Sequence, residues 1–464
     1  MLSAPRFNLW MVSCLSWALL LSLAAPTCAD PKPLSKEEQA KVEKAVEEGI
    51  AFLKRRQTDA GEWPRPMVYW NDKYLVGLTI LTAYGLLEAD VPAKDPAIQK
   101  AAEYIRSRVL KSEQTYELAL GVLFFDRLGD PNDKKLIRTL ALRLVAGQHR
   151  TGGWNYRCPS LREEDEAPLI RSLRELTKLL RSEVTLDARA LNGLHVPHEL
   201  KPLTVFQDPK RLRWVEPRSS EFSHQSQLFV GATDNSNTQF AMLALWVAQR
   251  HGIPVEPTFR LMVERFEMTQ RQDGWWPYDF RFDRRDTIGP LPSMICVGLL
   301  GLAIGHGLTP ERLGAAPRPP EDSRVENGLA ALYREIGHPT RQMDIPVPFA
   351  IKNSPLYFLW SVERVAMLYN LPTVGDKDWF RWGAEMIVTN QKANGEWVSS
   401  YGPVAGTSFA LLFLKRSHPM KDLTPKLPYN AKELNQRIIR LGHGGSRLER
   451  PKTTPSDRDS KPER

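Results

Sequence analysis

Hydrophobic and polar positions along this chain repeat mostly at the helical period of three to four residues. Amphipathic stretches alternate with stretches that are apolar nearly all round. A helix with one apolar face suits an outer layer, whereas a helix that is apolar on every side must be buried. The pattern therefore predicts helix pairs, each with an outer and an inner member. The six predicted pairs are 36–56 with 73–88, 96–110 with 115–128, 133–148 with 236–251, 257–271 with 288–306, 323–337 with 355–371, and 377–391 with 406–415.

Four predicted turns share a Gln that is followed by Gly and then by Trp. Glycine just beyond a helix supplies the left-handed stop that other residues adopt poorly. The Trp offers a large apolar surface to the helix end, and its indole N–H can bond a loop carbonyl. We therefore expect these tryptophans to be structural. The turns are Gln57 to Trp63, Gln148 to Trp154, Gln272 to Trp276 and Gln391 to Trp397, and the structural residues are assigned as Trp63, Trp154, Trp275 and Trp397.

Paired outer and inner helices predict an all-α fold, an (α/α)6 toroid in which amphipathic helices surround apolar ones. An open α-solenoid would produce similar pairs. Closure into a ring is favoured because the Gly-Trp turns mark both the first and the last pair.

A charged and Pro-containing segment, residues 157–231, interrupts the third pair. It divides the toroid into a first part, 30–156, and a second part, 232–442. An insertion at this place is expected on a rim, where a lid, a partner-docking arm and a simple surface elaboration all remain open. The basic tail, 443–464, is polar enough to predict disorder.

The amino terminus has the pattern of a secretory signal peptide, residues 1–29. Arg6 precedes an apolar run from Leu9 to Ala25, and small residues stand three and one places before Asp30. Serines interrupt the run, which makes a membrane anchor the weaker interpretation. We expect export to the periplasm or the extracellular space, with no transmembrane span in the mature chain.

Composition adds limits to this prediction. The net charge is +9, but basic and acidic residues are mixed along the helices, so we predict no nucleic-acid partner. Two of the four cysteines fall in the signal peptide. Cys158 and Cys296 remain, and two buried thiols are favoured over a bridge between them.

The Gln…Gly-x-Trp turns resemble the QW motifs of squalene and oxidosqualene cyclases and the related turns of protein prenyltransferase repeats. Residues 234–241, 115–118 and 357–365 resemble the exported bacterial branch of the same terpenoid cyclase-like superfamily. The resemblance implies the toroid and a central cavity that takes a ligand. It is specific for fold and not for activity, because such folds host unrelated chemistry.

The catalytic motifs of that superfamily are missing from the sequence. No Asp-x-Asp-Asp motif occurs, and Asp283 and Asp286 flank two arginines that would lower their pKa values. Cys296 and His306 are ten residues apart, which does not place them on one helix face as zinc ligands. The sequence therefore predicts neither class II cyclase nor zinc prenyltransferase chemistry, and no metal or cofactor.

In a toroid the starts of the inner helices surround one mouth of the ring. The residues predicted to bind a ligand there are Asp72, Tyr116, Asn235, Asn237, Tyr357, Trp360 and Glu363. Asp234 and Glu117 are the candidates for a general acid or base, provided that burial raises their pKa values. His224, Tyr278 and Asp279 are further candidates for the rim.

An alternative interpretation gives most of these residues structural roles. Ser236 and Gln239 have the spacing of a capping box, and Asp72 is a suitable cap. Glu363 and Arg364 would then form a buried ion pair.

Three functions remain open from the sequence. The first is an exported protein that binds an elongated apolar ligand such as an isoprenoid in the ring. The second is a carbohydrate-active enzyme, a polysaccharide lyase or hydrolase, on the same toroid. The third is a non-catalytic scaffold with a protein partner at 157–231.

Overall fold

A computed structural model describes residues 32–64, 75–182, 186–207, 233–280, 291–308, 322–337 and 355–444. The predicted signal peptide, Asp72, His224, Asp283, Asp286 and the tail beyond residue 444 lie outside these ranges. The described α-helices are α1 Lys36–Arg56, α2 Leu75–Glu88, α3 Pro96–Arg106, α4 Thr115–Leu128, α5 Lys134–Ala146, α6 Glu163–Leu180, α7 Ala188–Asn192, α8 Asn235–Ala248, α9 Glu256–Thr269, α10 Pro292–Gly307, α11 Ser323–Glu335, α12 Pro355–Leu368, α13 Trp379–Thr389, α14 Pro403–Lys415 and α15 Ala431–Gly444. Two short strands, β1 Thr233–Asp234 and β2 Asp279–Phe280, pair antiparallel.

Six helices form a closed inner ring in the order α2, α4, α8, α10, α12 and α14. Each contacts the next, and α14 returns to contact α2. The outer helices α1, α3, α5, α9, α11 and α13 pack against this ring. The predicted all-α toroid is therefore confirmed, and the open solenoid is wrong.

The inner helices are buried on all sides, as their apolar sequences require. Every residue of α8 is buried, whereas α1 buries one stripe that includes Val42, Val46 and Phe52. An apolar helix has no face that can remain in water, so the ring of six is the core of the molecule.

The four turns after α1, α5, α9 and α13 share one hydrogen-bond pattern. The Gln side chain donates to the carbonyl of the turn glycine, four residues later, and to a carbonyl in the next outer helix. The donor and its two acceptors are Gln57 with Gly61 and Ala97, Gln148 with Gly152 and Thr258, Gln270 with Gly274 and Arg324, and Gln391 with Gly395 and Ala45.

The third turn corrects the sequence assignment. Gln270 makes the shared bonds, not Gln272, and the fully buried indole is Trp276, which is 1% exposed. Trp276 Nε1 donates to Phe266 O at 2.8 Å, a carbonyl ten residues earlier. Trp63, Trp154 and Trp397 donate to carbonyls at the same separation. Trp275, which was assigned this structural role, is half-buried beside it.

The last turn joins the end of the ring to its beginning. Gln391 Nε2 donates to Ala45 O in α1 at 2.9 Å. Gly395 has φ +89°, and a Cβ there would lie 2.4 Å from Glu48 O. Only glycine allows the backbone to approach this closely in a left-handed conformation.

The predicted capping box at Ser236 and Gln239 is wrong. Asp234 is the N-cap of α8, and its carboxylate accepts from the Asn237 backbone N–H. Ser236 and Gln239 lie inside the helix, where Ser236 Oγ is 3.1 Å from Tyr357 Oη and Gln239 Oε1 accepts from the same hydroxyl.

Two features lie outside the paired helices. The described part of the insertion includes α6 and the short α7. Helix α6 packs against α5 and α9, and Arg181 after it bonds to Glu256 at the start of α9. Helix α15, which the sequence pattern did not predict, packs against α11.

Cys158 and Cys296 are both free and buried, as favoured from the sequence. Within the described ranges, no helix combines the length and the apolar character needed to cross a membrane.

Candidate functional site

Asp234 lies at the junction of β1 and α8, near the starts of the inner helices. Its backbone N–H donates to Trp154 O at 3.1 Å, and β1 pairs Asp234 with Asp279 of β2. Asn237 donates its backbone N–H to one carboxylate oxygen and its side-chain amide to the other, both at 2.7 Å. The side chain is therefore fixed in one orientation, and the residue is 3% exposed.

Burial raises the pKa of Asp234 to about 6, although the two bonds from Asn237 and the charge of Arg265 act in the opposite direction. A carboxyl with a pKa in this range exchanges a proton near neutral pH. This is the condition that the sequence set for Asp234 as a general acid or base.

Arg265 of α9 is hydrogen-bonded to the residues on either side of Asp234. It is 2% exposed and bonds through Nε and Nη2 to Asn235 Oδ1 at 3.0 and 2.9 Å and through Nη1 to Thr233 Oγ1 at 2.8 Å. Burial lowers its pKa to about 9, opposed by the charges of Asp234 and Asp279. Asn235, which was predicted to bind a ligand, also donates to Pro277 O, so both ends of its amide are used in this network.

Tyrosines surround Asp234 at the start of the ring. Four of them have pKa values raised first by burial and further by the negative charge of Asp234. We call these four, together with Tyr156, whose hydroxyl is 3.2 Å from that of Tyr278, the tyrosine mouth. The four are Tyr116, Tyr278, Tyr357 and Tyr401.

The tyrosine mouth is partly open to solvent. Tyr156 and Tyr401 are 45% and 38% exposed, whereas Tyr357 is 7% exposed. The hydroxyl of Tyr357 is held by Ser236 and Gln239 of α8. The mouth therefore has a fixed interior and two tyrosines at its outer edge.

An aromatic floor of three side chains, Phe240, Trp360 and Phe409, lies against the tyrosine mouth. Phe240 stacks on Trp360 with ring centroids 5.2 Å apart, and Trp360 and Phe409 are 5.5 Å apart. Phe240 also meets Tyr116 at 5.2 Å, and Tyr357 meets Phe409 at 5.7 Å. The three residues of the floor come from α8, α12 and α14, so the floor is built by three helices of the inner ring.

Two predicted site residues lie elsewhere. Glu117 on α4 accepts a hydrogen bond from the Gly77 N–H of α2 at 2.8 Å, and burial raises its pKa. Its carboxyl therefore links α2 to α4 and does not contact Asp234. Glu363 is six residues beyond Tyr357 on α12, which places it about 9 Å further along the helix axis. Its carboxyl contacts Arg364 instead of the tyrosine mouth.

Other site residues were missed or given little weight. Phe240 and Phe409 belong to predicted inner helices, but an apolar residue on an apolar helix carries no signal of its position in the ring. Tyr401 lies two residues before the start of α14 and was missed because that helix was predicted to start at residue 406 instead of at Pro403. Tyr278 was considered only for the rim.

The described residues contain no group of three or more His, Cys, Asp or Glu side chains arranged to hold a metal ion. The site consists of one carboxyl, hydroxyls, an amide and aromatic faces. Such groups bind a molecule by hydrogen bonds and apolar contact.

Comparisons with known proteins give only remote likenesses. No family model and no curated protein matches the chain. A variant of the type II terpene cyclase MstE from Scytonema, in complex with geranylgeranyl dihydroxybenzoate, aligns over 85% of this chain and 100% of that chain, with 11% identity and a TM-score of 0.47. A possible member of the GH105 family from Salmonella enterica aligns over 83% of this chain and 96% of its own, with 10% identity and a TM-score of 0.30. Likenesses this remote assign no activity to the chain.

Proposed function

We propose that this protein binds a small amphiphilic molecule, with an elongated apolar part of isoprenoid type and one polar group, at the tyrosine mouth. The observation that supports the proposal is the placement of a buried carboxyl, Asp234, among tyrosines that in turn contact an aromatic floor. Binding sites for small ligands combine apolar and aromatic walls with a few fixed polar groups.

Each part of the site has a role in this proposal. The faces of Phe240, Trp360 and Phe409 carry partial negative charge, which favours contact with alkyl and alkenyl C–H groups. The hydroxyls of Tyr156 and Tyr401 and the carboxyl of Asp234 supply hydrogen bonds to the polar group. Because the pKa of Asp234 is about 6, the carboxyl acts as a donor in part of the population near pH 6 and as an acceptor above it.

The test uses the isoprenoid alcohol farnesol as the probe. Binding is measured by quenching of tryptophan fluorescence and by native mass spectrometry. Tyr401→Ala is expected to weaken binding by about thirtyfold, since an aromatic contact and a hydrogen bond are each worth about 1 kcal/mol. Val398→Ala is the matched control, because Val398 lies in the same loop and is 60% exposed. No binding by the wild type, or equal loss in both variants, would contradict the proposal.

A carbohydrate ligand is the second candidate. The observation in its favour is the exposure of Tyr156 and Tyr401, 45% and 38%, at the edge of the mouth, where flat rings are available to stack on sugars. Titration with neutral and uronic-acid oligosaccharides tests it. The carbohydrate proposal would replace the first one if the protein bound an oligosaccharide saturably, lost that binding in Tyr401→Ala, and did not bind farnesol.

A further inference from the structure

A second group of buried polar side chains lies in the other half of the ring, towards the carboxyl ends of the inner helices. We call it the inner polar cluster: Tyr84 of α2, Glu363 and Arg364 of α12, and His418 after α14. These residues are 2%, 0%, 0% and 4% exposed. Because α2 and α12 pack on either side of α14, side chains from both helices meet inside the ring.

The members of the cluster lie close enough to affect one another's charge. The positive charge of Arg364 opposes the rise in the pKa of Tyr84, Glu88 and Glu363 that burial causes. It also assists burial in lowering the pKa of His418 to about 3, so that His418 is neutral. The cluster is therefore one electrostatic unit.

The hydrogen-bonding groups of this unit are left without partners among the residues that the structure describes. This holds for all three guanidinium nitrogens of Arg364, both carboxyl oxygens of Glu363 and both ring nitrogens of His418. The Tyr84 hydroxyl has no aligned hydrogen bond either, although the Glu88 carboxyl lies near enough to raise its pKa. Arg364 Nε and Glu363 Oε2 are 3.0 Å apart, but the contact is not aligned as a hydrogen bond. The indole N–H of Trp360 also has no hydrogen-bond partner among the described residues, and its ring lies 5.2 Å from Arg364 Cζ.

Donors outnumber acceptors in this cluster. A guanidinium carries five N–H groups, and the tyrosine hydroxyl, the indole and one imidazole nitrogen add three. The acceptor atoms are the two oxygens of Glu363, the Tyr84 oxygen and the other imidazole nitrogen. A buried charge with unsatisfied donors is costly unless something pairs with it.

We propose that the inner polar cluster binds a small oxyanion, a carboxylate or phosphate group, with Arg364 as its principal ligand. The planar guanidinium matches both groups by two parallel hydrogen bonds. Glu88 on α2 lies near enough for the charge of Arg364 to act on it, but its carboxylate is 3.3 Å from Arg127 Nε, and no described acceptor hydrogen-bonds to the Arg364 guanidinium. Arg416 and Lys421, whose charges act on Glu363 and His418, add positive potential.

Glu363 makes anion binding dependent on pH. Burial raises its pKa to about 8, so at pH 7 it is mostly neutral and does not repel an anion. The other groups whose charges act between Glu363 and its surroundings are Tyr84 and Glu88 on α2, Arg364 on α12, and Arg416 at the end of α14. This site is separate from the tyrosine mouth and does not rest on the function proposed there.

The test titrates the full chain with sodium acetate and, separately, with inorganic phosphate, at pH 7 and constant ionic strength held with chloride. A saturable rise in the unfolding temperature and a calorimetric isotherm are expected with at least one anion. The two arms identify which anion is preferred. Arg364→Met keeps the volume and removes the charge, and it is expected to weaken binding by roughly tenfold or more.

The matched control is Arg143→Met. Arg143 is buried like Arg364, at 2% exposure, but its three guanidinium nitrogens donate to three backbone carbonyls, so it is not expected to bind an added anion. Its response to the anion should equal that of the wild type, each measured from its own unfolding temperature. A wild type that responds to neither anion, or an Arg364→Met protein that responds as the wild type does, overturns the proposal.

A second variant keeps the proposal testable if Arg364→Met does not fold. Acetate affinity of the wild type should fall by roughly tenfold from pH 7 to pH 9 as Glu363 ionises. Glu363→Gln cannot ionise and should retain its affinity over that range. Parallel pH profiles of the two proteins would contradict the proposal. Farnesol binding measured on the same preparations tests the proposal for the tyrosine mouth independently.

Discussion

At the scale of single residues, Asp234 is both a helix cap and a buried carboxyl, and these two conditions have opposite effects on its pKa. It caps α8 by accepting from Asn237, which favours a charged carboxylate, yet it lies at 3% exposure, which disfavours charge. Burial prevails, and the pKa rises to about 6. A cap on the protein surface would have kept an ordinary value, so the location inside the ring decides the chemistry.

This raised pKa predicts a dependence of stability on pH. The native pKa of about 6 is above the ordinary value of 3.8, so the folded state binds the proton more tightly than the unfolded state. The stability that this supplies is present below about pH 4 and is lost as the pH rises through 6. From pH 4 to pH 7, the free energy of unfolding of the wild type should fall by about 2.4 kcal/mol more than that of Asp234→Asn.

Urea unfolding of both proteins at pH 4, 5, 6 and 7 measures this difference. The other carboxyls with raised pKa values, Glu88, Glu117 and Glu363, are present in both proteins and cancel. Equal slopes would mean that Asp234 titrates as an exposed carboxyl does.

Some of these residues were predictable and others were not. Asp234, Tyr116 and Tyr357 were found because polar residues at the start of an apolar helix must meet at one mouth. Glu363 was assigned to the same mouth because its distance along the helix axis was not weighed. The aromatic floor was beyond prediction, since it depends on which side of an apolar helix faces the centre.

At the scale of elements, the Gln-x-x-x-Gly-x-Trp turn is the unit that repeats. The spacing is the same in all four turns once Gln270 and Trp276 are taken for the third. This spacing was already present in the sequence and would have given the correct register. The helix pairs were predictable for the same reason, because period and turn residues agree, whereas α15 follows a loop without such a turn.

The register of the third turn predicts unequal effects of two adjacent substitutions. Trp276→Ala removes a fully buried side chain and the bond to Phe266 O, and it should cost about 3–5 kcal/mol. Trp275 is half-buried, so Trp275→Ala should cost roughly 1–2 kcal/mol. Urea unfolding of the two variants compares them directly. A larger loss from Trp275→Ala would restore the first assignment.

At the scale of the whole molecule, the ring has two polar regions with an aromatic floor between them. The tyrosine mouth lies at the starts of the inner helices, and the inner polar cluster lies towards their ends. Trp360 takes part in both, since its ring stacks on Phe240 and lies 5.2 Å from Arg364 Cζ. No sequence pattern marks this division, because it appears only when six helices are arranged around one axis.

Closure of the ring predicts a long-range effect of a single methyl group. Gly395→Ala places a Cβ against Glu48 O and should separate the last turn from α1, at a cost on the order of 3 kcal/mol. Gly129→Ala is the control, since Gly129 also has a positive φ, +74°, but nothing lies within 4 Å of its added Cβ. That variant should lose about 1 kcal/mol from backbone strain alone.

Hydrogen exchange followed by mass spectrometry measures where the effect appears. Amides of α1 and α13 should exchange faster in Gly395→Ala, and those of α5 should not change. Acceleration spread evenly over the ring, or the same pattern in Gly129→Ala, would show that the last turn does not hold the ring closed.

The contact between Gln391 and Ala45 also determines how late during synthesis the ring can close. These residues are 346 positions apart, so α1 leaves the ribosome long before its partner exists. At about 5–20 residues per second, synthesis of the intervening chain takes on the order of tens of seconds. During that interval the apolar stripe of α1 has no partner from the last pair. The first helix can therefore bury this stripe against the last pair only after the last turn has been translated.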